Sequence, residues 1–402
     1  MHVDPLRDGP THLTILPTYR CTAACAQCCF ESDPHVEGRI PIDRILGYID
    51  QAARDFPTLR LVVFSGGECF LLRDDLDAAV ARATSHGLAT RCVTNGYWAT
   101  SRRAAIERLR PLYVAGLSEI NFSTGDDHQK FVPFDRIVHG AIAAAEMGLR
   151  ALIVVEGSRE ARFTVRRALE HPDLAAFMKD SPARAGLDLL SNIWIPFRED
   201  TPITQEDEVY RRRDRVDRFR GCDNVLENMV VTPHERLSSC CGLTFEHIPE
   251  MKLGDLRAGR MRDLYDAQMQ DFIKIWLRVD GPERIFRFAV EKDPSIGFPD
   301  GATHPCQTCA ALFLNPAVRR ALGDHYLEKV PDVMFRYSVM RTLERRSDPS
   351  FAAPVPANDT APADGAPPSP AATSAHAAPP IPSATSGLPA PPPAGVRIGY
   401  GT

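Results

Sequence analysis

The sequence predicts an α/β fold built from parallel βα units, followed by a smaller cysteine-bearing region and a low-complexity tail. Three observations predict it. From residue 12 to about residue 200, short apolar runs alternate with longer amphipathic ones. After about residue 200 that alternation stops. Residues 347–402 then hold 14 of the chain's 34 prolines and only two aromatics, Phe351 and Tyr400. At 402 residues the chain has room for one large domain and an appendage.

Six runs read as strands: "HLTIL" (12–16), "LRLVVF" (59–64), "LATRCV" (88–93), "LSEINFS" (117–123), "LRALIVV" (149–155) and "LDLLSNIWI" (187–195). Each is short, rich in Val, Ile or Leu, and ends near Gly, Asn or Asp. Between them, "PIDRILGYIDQAARDF" (41–56), "RDDLDAAVARATSHG" (73–87) and "FDRIVHGAIAAAEMG" (134–148) read as helices. The last places Ile137, Ala141, Ile142 and Ala145 at helical spacing, with Gly148 as the stop. Such units connect by right-handed crossovers and wind into a barrel or a doubly wound sheet. Ligand chemistry then belongs at the C-terminal strand ends.

Beyond residue 200, "EDEVYRRRDRVDRFRGC" reads as a charged helix leading into Cys222. Its "RRRDR" (211–215) is flanked by acids, which points to a solvated helix face rather than a nucleic-acid contact. A hairpin follows in "NMVVTPHERLSSCCG", with Met229 and Val231 against Leu237, and then helices to about residue 346. The predicted divisions are 12–200, 201–346 and a disordered Pro/Ala-rich tail at 347–402, which cannot bury enough apolar area to offset its ordering entropy. The chain closes on "GVRIGYGT", a β-prone end on a long tether, which reads first as a disordered end with no role and is open as a docking segment, a partner motif or a modified peptide carried in cis.

The formal net charge of −5 gives no global attraction to nucleic acid or to an anionic membrane. No apolar run near the start suits a secretory signal or a membrane span. The expected compartment is the cytoplasm, where clustered cysteines mean metal or redox chemistry more often than disulfides. Eleven cysteines, an odd number, also fit a complete disulfide framework poorly.

"RCTAACAQCCF" (20–30) spaces Cys21, Cys25 and Cys28 as C-x3-C-x2-C directly after the first predicted strand. Zinc sites usually collect four ligands from two pairs. Three close thiolates without an evident fourth suit a cubane with one iron left open, or another unusual metal site. Further along, "FSGGECF" sets Gly66, Gly67 and Glu68 at the end of the second strand, where glycines permit close backbone approach and a carboxylate can pair with an ammonium. "VTNGY" sets Thr94, Asn95 and Gly96 at the end of the third. "INFSTGDDHQKF" ends the fourth, with Asn121 and Ser123 as alternating polar side chains and Asp126, Asp127 and His128 as candidate acid, base or substrate contacts. A solvated loop with a capping Asp reads equally well there.

In the order of these motifs, residues 12–200 resemble the radical S-adenosylmethionine (SAM) family. The resemblance implies a partial (β/α)6 barrel and a 4Fe–4S cluster on Cys21, Cys25 and Cys28, whose open iron chelates SAM. It also implies cleavage of SAM by one electron to a 5′-deoxyadenosyl radical. Gly66, Gly67, Glu68 and Asn95 would then border SAM, with Glu68 beside its ammonium and Asn121 and Ser123 near its ribose. The chain departs from the family pattern at Gln27, where an aromatic is usual and Phe30 is the substitute. It departs again at Cys69, where proline is common, and in "ALIVVEG", which carries no obvious Gly-rich motif.

Cys222, Cys240, Cys241, Cys306 and Cys309 form a second set. With "CCGLTFEHIPEMKLGDL" they resemble the small α+β auxiliary-cluster domain, of SPASM or the shorter twitch type, appended to many radical SAM enzymes. Cys222, one of Cys240 and Cys241, Cys306 and Cys309 would hold a second 4Fe–4S cluster; a structural zinc uses the same four thiolates. Cys29, Cys69 and Cys92 read as small buried hydrophobes, and His234 and His247 as surface polar residues.

The layout is similar to maturases of ribosomally made peptides, which form crosslinks, thioethers or epimers. It implies hydrogen abstraction from a peptide or protein substrate, and a reducing partner such as flavodoxin or ferredoxin. Only about eleven residues precede the first strand, so peptide recognition is expected on another surface or on a separate protein. A small-molecule radical SAM dehydrogenase and a non-catalytic metal-binding scaffold are the alternatives. Neither a nucleic acid nor a membrane is expected as a partner.

Overall fold

A computed structural model describes residues 9–193, 204–242 and 248–347. The closing "GVRIGYGT", His247 and the end of the sixth predicted strand beyond residue 193 lie outside them. One compact unit runs to Ser338 and holds the whole sheet.

The six strands expected first are all present: β1 (His12–Ile15), β2 (Leu61–Phe64), β3 (Ala89–Thr94), β4 (Glu119–Thr124), β5 (Arg150–Glu156) and β6 (Leu187–Asn192). Helices α1 (Ile42–Asp55), α2 (Asp74–Ser85), α3 (Arg102–Ala115) and α4 (Phe134–Glu146) connect the first five, and α5 (Val165–Leu169) with α6 (Pro172–Asp180) lead to β6. Neighbouring strands among the six pair in parallel throughout. The sequence reading passed over α3, whose start is capped by Ser101 accepting from Ala104 N.

Period-two alternation divides the two faces of this sheet. Ile15, Phe64, Cys92, Ile120 and Ala151 lie in one row and are buried to 3% exposure or less. They pack with Ile45 and Ile49 of α1, Val80 of α2, Leu109 of α3 and Ile137 of α4 in one core. Each such large apolar side chain contributes about 1.5–3 kcal/mol by leaving water. The opposite face carries Val63, Arg91, Glu119, Asn121, Ser123, Leu152, Val154 and Asn192, which stay partly exposed. Helices on one side and a mixed polar and apolar lining on the other make a partial barrel.

Beyond residue 204 come β7 (Asn228–Val231), β8 (Arg236–Ser238) and β9 (Lys252–Asp255). The hairpin expected there is β7–β8, with Val231 opposite Leu237. The sheet order is β6-β5-β4-β3-β2-β1-β7-β8-β9, so the strands after residue 200 continue the barrel's own sheet. The join is a parallel pairing of β7 with β1, His12 beside Asn228 through Ile15 beside Val231. Helices α7 (Met261–Ala267), α8 (Phe272–Lys292), α9 (Pro305–Leu314), α10 (Pro316–His325) and α11 (Val330–Ser347) complete the described chain.

One expectation is overturned. The charged helix at 206–222 is two short 3-10 turns, Asp207–Val209 and Arg213–Arg218. Tertiary pairing overrides local propensity there: Arg211 is drawn inside against Glu283, and Arg212 and Arg215 both close on Asp207. "RRRDR" is therefore no solvated helix face. No helix among the described residues is long and apolar enough to cross a membrane.

Candidate functional site

The loop from β1 to α1 carries Cys21, Cys25, Cys28 and Cys29. Its two ends are tied together. Ile40 N donates to Pro17 O at 2.9 Å, Thr18 Oγ1 to Gly38 O at 2.8 Å and Cys21 N to Asp33 O at 3.0 Å. Cys28 N reaches back to Cys25 O at 3.1 Å, a turn that brings the two side chains toward each other. The three thiols are electrostatic neighbours: Cys25 is raised by burial and then by Asp127, Cys28 and Cys21. Burial and Glu68 push Cys21 up to about 12.

The turn after β2 is shaped by that loop. A Cβ at Gly67 would stand 2.1 Å from Arg20 O, and one at Gly66, where φ is +108°, 2.6 Å from Thr18 O. Gly67 N donates to Thr18 O and Glu68 N to Arg20 O, each at 2.9 Å. The glycines thus let two backbones meet, pinning the cysteine loop to the end of β2. Glu68 is fully buried and accepts from Phe70 N at 3.0 Å, Thr94 Oγ1 at 2.9 Å and Asn95 N at 2.8 Å. Burial raises it to about 7. Where the sequence suggested a carboxylate facing an ammonium, the structure spends both oxygens on tying β2 to β3. Asn95 Nδ2 donates to Cys21 Sγ at 3.4 Å and to Thr22 Oγ1 at 3.0 Å, so that amide is directed at the cysteine loop.

At the end of β4 the three candidate residues have three different surroundings. Asp126 accepts from Arg162 N at 2.6 Å and Phe163 N at 3.1 Å, a loop-capping arrangement. Asp127 accepts from Ala26 N between Cys25 and Cys28, and its other oxygen is 2.6 Å from Lys130 Nζ. His128 is buried, which lowers it to about 4 and keeps the ring neutral. Asn121 and Ser123 lie on the inner face of β4, beside Leu152 and Val154 of β5, and the Asn121 amide is within 2.9 Å of Glu119 Oε1. Glu156, at the end of β5, was missed by sequence reasoning. Its Oε2 accepts from Asp127 N at 3.3 Å, burial raises it to about 7, and its charge is felt at Cys25. A lone carboxylate ahead of a glycine in "VVEG" was the available signal.

Asp127→Ala removes the side-chain acceptor for Ala26 N, a charge-assisted bond worth about 2 kcal/mol. The expected result is iron loss from the reconstituted protein roughly tenfold faster under a chelator, with an unchanged far-ultraviolet spectrum. Timed iron release checks it.

The C-terminal cysteines come from three places. Cys222 N donates to Leu277 O at 2.8 Å, Cys240 follows β8, and Cys306 and Cys309 sit at the start of α9. His304 caps that turn, its Nδ1 accepting from Cys306 N at 3.2 Å. Cys309 is raised by burial and then by Cys240, Cys306 and Cys222, which places its sulfur within electrostatic reach of those three. Cys241 takes a different position. Its sulfur accepts from Asn228 Nδ2 at 3.4 Å, and Asn228 in turn accepts from Thr14 Oγ1 of β1 at 3.0 Å. Burial, Cys240 and Cys222 push Cys241 up to about 12.

Of the three cysteines read as buried hydrophobes, Cys69 and Cys92 are fully buried. Cys29 is partly exposed and is raised by burial, Cys28 and Cys241. It stands between the two cysteine groups. Phe30, the substitute for the aromatic missing at Gln27, stacks on Tyr19 with ring centroids 6.2 Å apart.

Among the described residues, no three His, Cys, Asp or Glu side chains stand close enough to hold a single metal ion. The fit of each group to a cluster rests on its donor chemistry. Both are all-thiol, and burial holds Cys21, Cys25 and Cys309 protonated until a cation displaces the proton.

No curated protein matches the chain by sequence. The solved structure "Native anSMEcpe with bound AdoMet" aligns with 82% of this chain and all of its own, at 13% identity and a TM-score of 0.50, a likeness of fold. "Crystal structure of BtrN in complex with AdoMet and 2-DOIA" covers 68% of this chain and 89% of its own, at 14% identity and a TM-score of 0.40. The profile of the Radical SAM superfamily matches residues 15–157, from the end of β1 through the end of β5. That span, which is similar to the radical SAM domain, holds the three-thiol loop, the glycine turn pinned to it and Asn95 against Cys21.

Proposed function

We propose that this protein is a radical SAM enzyme that abstracts a hydrogen atom from a peptide or protein substrate, with an auxiliary 4Fe–4S cluster in its C-terminal region. Cys21, Cys25 and Cys28 hold the catalytic cluster, and SAM bound there supplies a 5′-deoxyadenosyl radical on one-electron reduction. Glu68, Asn95 and Asp127 position the loop that carries those thiols. Asn121, Ser123 and Glu156 line the inner face where SAM and substrate meet, and neutral His128 and the Asp127–Glu156 pair offer groups to hold or move a proton at the barrel mouth. Domain boundaries follow the chemistry: residues 12–200 the barrel and 201–346 the auxiliary-cluster region.

The observation that carries this reading is the second group of thiols, Cys309 with Cys222, Cys240 and Cys306 in its electrostatic surroundings, in the same compact unit as the first. A second redox centre beside a radical site gives an electron a way out, which an oxidative crosslink or thioether needs. We take Cys240 rather than Cys241 as the fourth thiol of that set, because Cys309 senses Cys240.

The test is turnover of the reconstituted, reduced enzyme with SAM and synthetic peptides encoded by any small open reading frame beside the gene. The expected result is a change in peptide mass in step with 5′-deoxyadenosine release. Release stimulated by aminocyclitols or sugar alcohols, with every peptide unchanged, would replace the peptide by a small-molecule substrate.

A further inference from the structure

Beside the C-terminal thiols lies a buried ion pair that the fold alone does not explain. Arg211 Nε meets Glu283 Oε1, with Arg211 7% exposed and Glu283 fully buried. Arg211 is fixed three ways. Its backbone N donates to Ala302 O at 2.7 Å, its guanidinium lies 3.9 Å from the Phe219 ring centroid, and its head is held by Glu283. Glu283 follows directly on a break in α8 at Gly281 and Pro282. Its second oxygen, Oε2, is buried with no hydrogen-bond partner among the described residues. A pair serving stability alone would satisfy both oxygens, since a buried carboxylate oxygen without a donor is costly. The pair is built into the elements that carry the thiols: α8, which holds Glu283, packs against α9 with Cys306 and Cys309 and takes Cys222 N at Leu277 O, and Arg211 N is bonded to Ala302 O just ahead of Cys306.

We propose that Arg211 and Glu283 are positioning residues that set the reduction potential of the cluster held by Cys222, Cys240, Cys306 and Cys309. Glu283, on the Cys309 side, holds the potential down, and Arg211 holds it up. The physical basis is that cluster potentials follow the charge fixed nearby and the solvent exposure of the site, and both partners here are buried. A full charge in a low-dielectric setting acts on the cluster without screening by salt. The inference rests on the reading of that site as an iron–sulfur cluster.

The test is a redox titration of the reconstituted full-length protein, followed by electron paramagnetic resonance, with iron counted in every sample. Glu283→Gln is expected to shift the C-terminal cluster to a more positive potential and Arg211→Gln to a more negative one, with the first cluster unmoved. Asp50→Asn, a surface change on α1, leaves both potentials where they are. Should either single variant lose iron, the exchange Arg211→Glu with Glu283→Arg keeps the pair and reverses its field, and a more positive potential is expected. Shifts of the same sign in both single variants, or an unchanged potential in the exchange, would overturn the inference while leaving the cluster in place. A wild-type protein holding only one cluster would overturn the cluster reading and this inference together.

Discussion

Cys25→Ala is expected to abolish reductive cleavage of SAM and to remove about four irons per chain from the reconstituted protein. Three thiols on one loop leave no spare ligand, so the loss of one is not made good locally. Cys25 is the thiol that senses both of its partners, Cys21 and Cys28, along with Asp127 and Glu156. The fold should survive the change. The loop is held by backbone bonds, Cys21 N to Asp33 O and Ile40 N to Pro17 O among them, and none of these uses the Cys25 sulfur. Stability is therefore expected to move by no more than about 1 kcal/mol, the range for changes that leave packing and buried bonds intact. Iron assay and chromatography of 5′-deoxyadenosine check the result. Retained cleavage would mean that the cluster lies elsewhere.

Gly281→Ala should have the opposite distribution of effects: about 3 kcal/mol of lost stability, a fall in Tm of about 6–12 °C, and iron lost from the C-terminal site alone. Gly281 sits at φ 76°, ψ 167°, a region open only to glycine, and Pro282 beside it has no N–H to donate. In an unbroken helix Leu277 O would accept from the Gly281 N–H. Cys222 N also donates to that carbonyl, at 2.8 Å, beside the break. A Cβ at Gly281 would lie 2.3 Å from Arg220 O, and one at Gly221 would lie 1.9 Å from Arg278 O. Two glycines thus let the loop carrying Cys222 press into the broken helix, and the break seats one thiol of the site. Thermal unfolding with an iron count on the same sample separates this from a general loss of fold.

The barrel strands were legible because each βα unit states its own pattern. "LRLVVF" and "LRALIVV" are short, branched and apolar, and β2 and β5 fall inside or within one residue of them. The cysteine loop was legible from spacing. What escaped was long-range. Nothing local in "NMVV" says that it pairs in parallel with β1, more than 200 residues earlier, and so extends the barrel's sheet. Arg211 sits in a run of charges that reads as a helix, and only tertiary pairing with Glu283 reveals it as buried. Glu68 also ties β2 to β3, through donors at Thr94 and Asn95 that the sequence could not bring to it. The Gly-Pro pair at 281–282 was a readable breaker signal, and its purpose appears only once Cys222 is seen against Leu277.

The most direct test of the central claim is anaerobic reconstitution of the full-length protein, with iron and sulfide counted, then reduction with dithionite and addition of SAM without any substrate. About eight irons per chain and slow release of 5′-deoxyadenosine are the predicted result, one 4Fe–4S cluster on each group of thiols. About four irons with a zinc would keep the enzyme and remove the second cluster. No iron retained and no cleavage of SAM would contradict the account, and the three thiols after β1 would belong to a metal-binding scaffold.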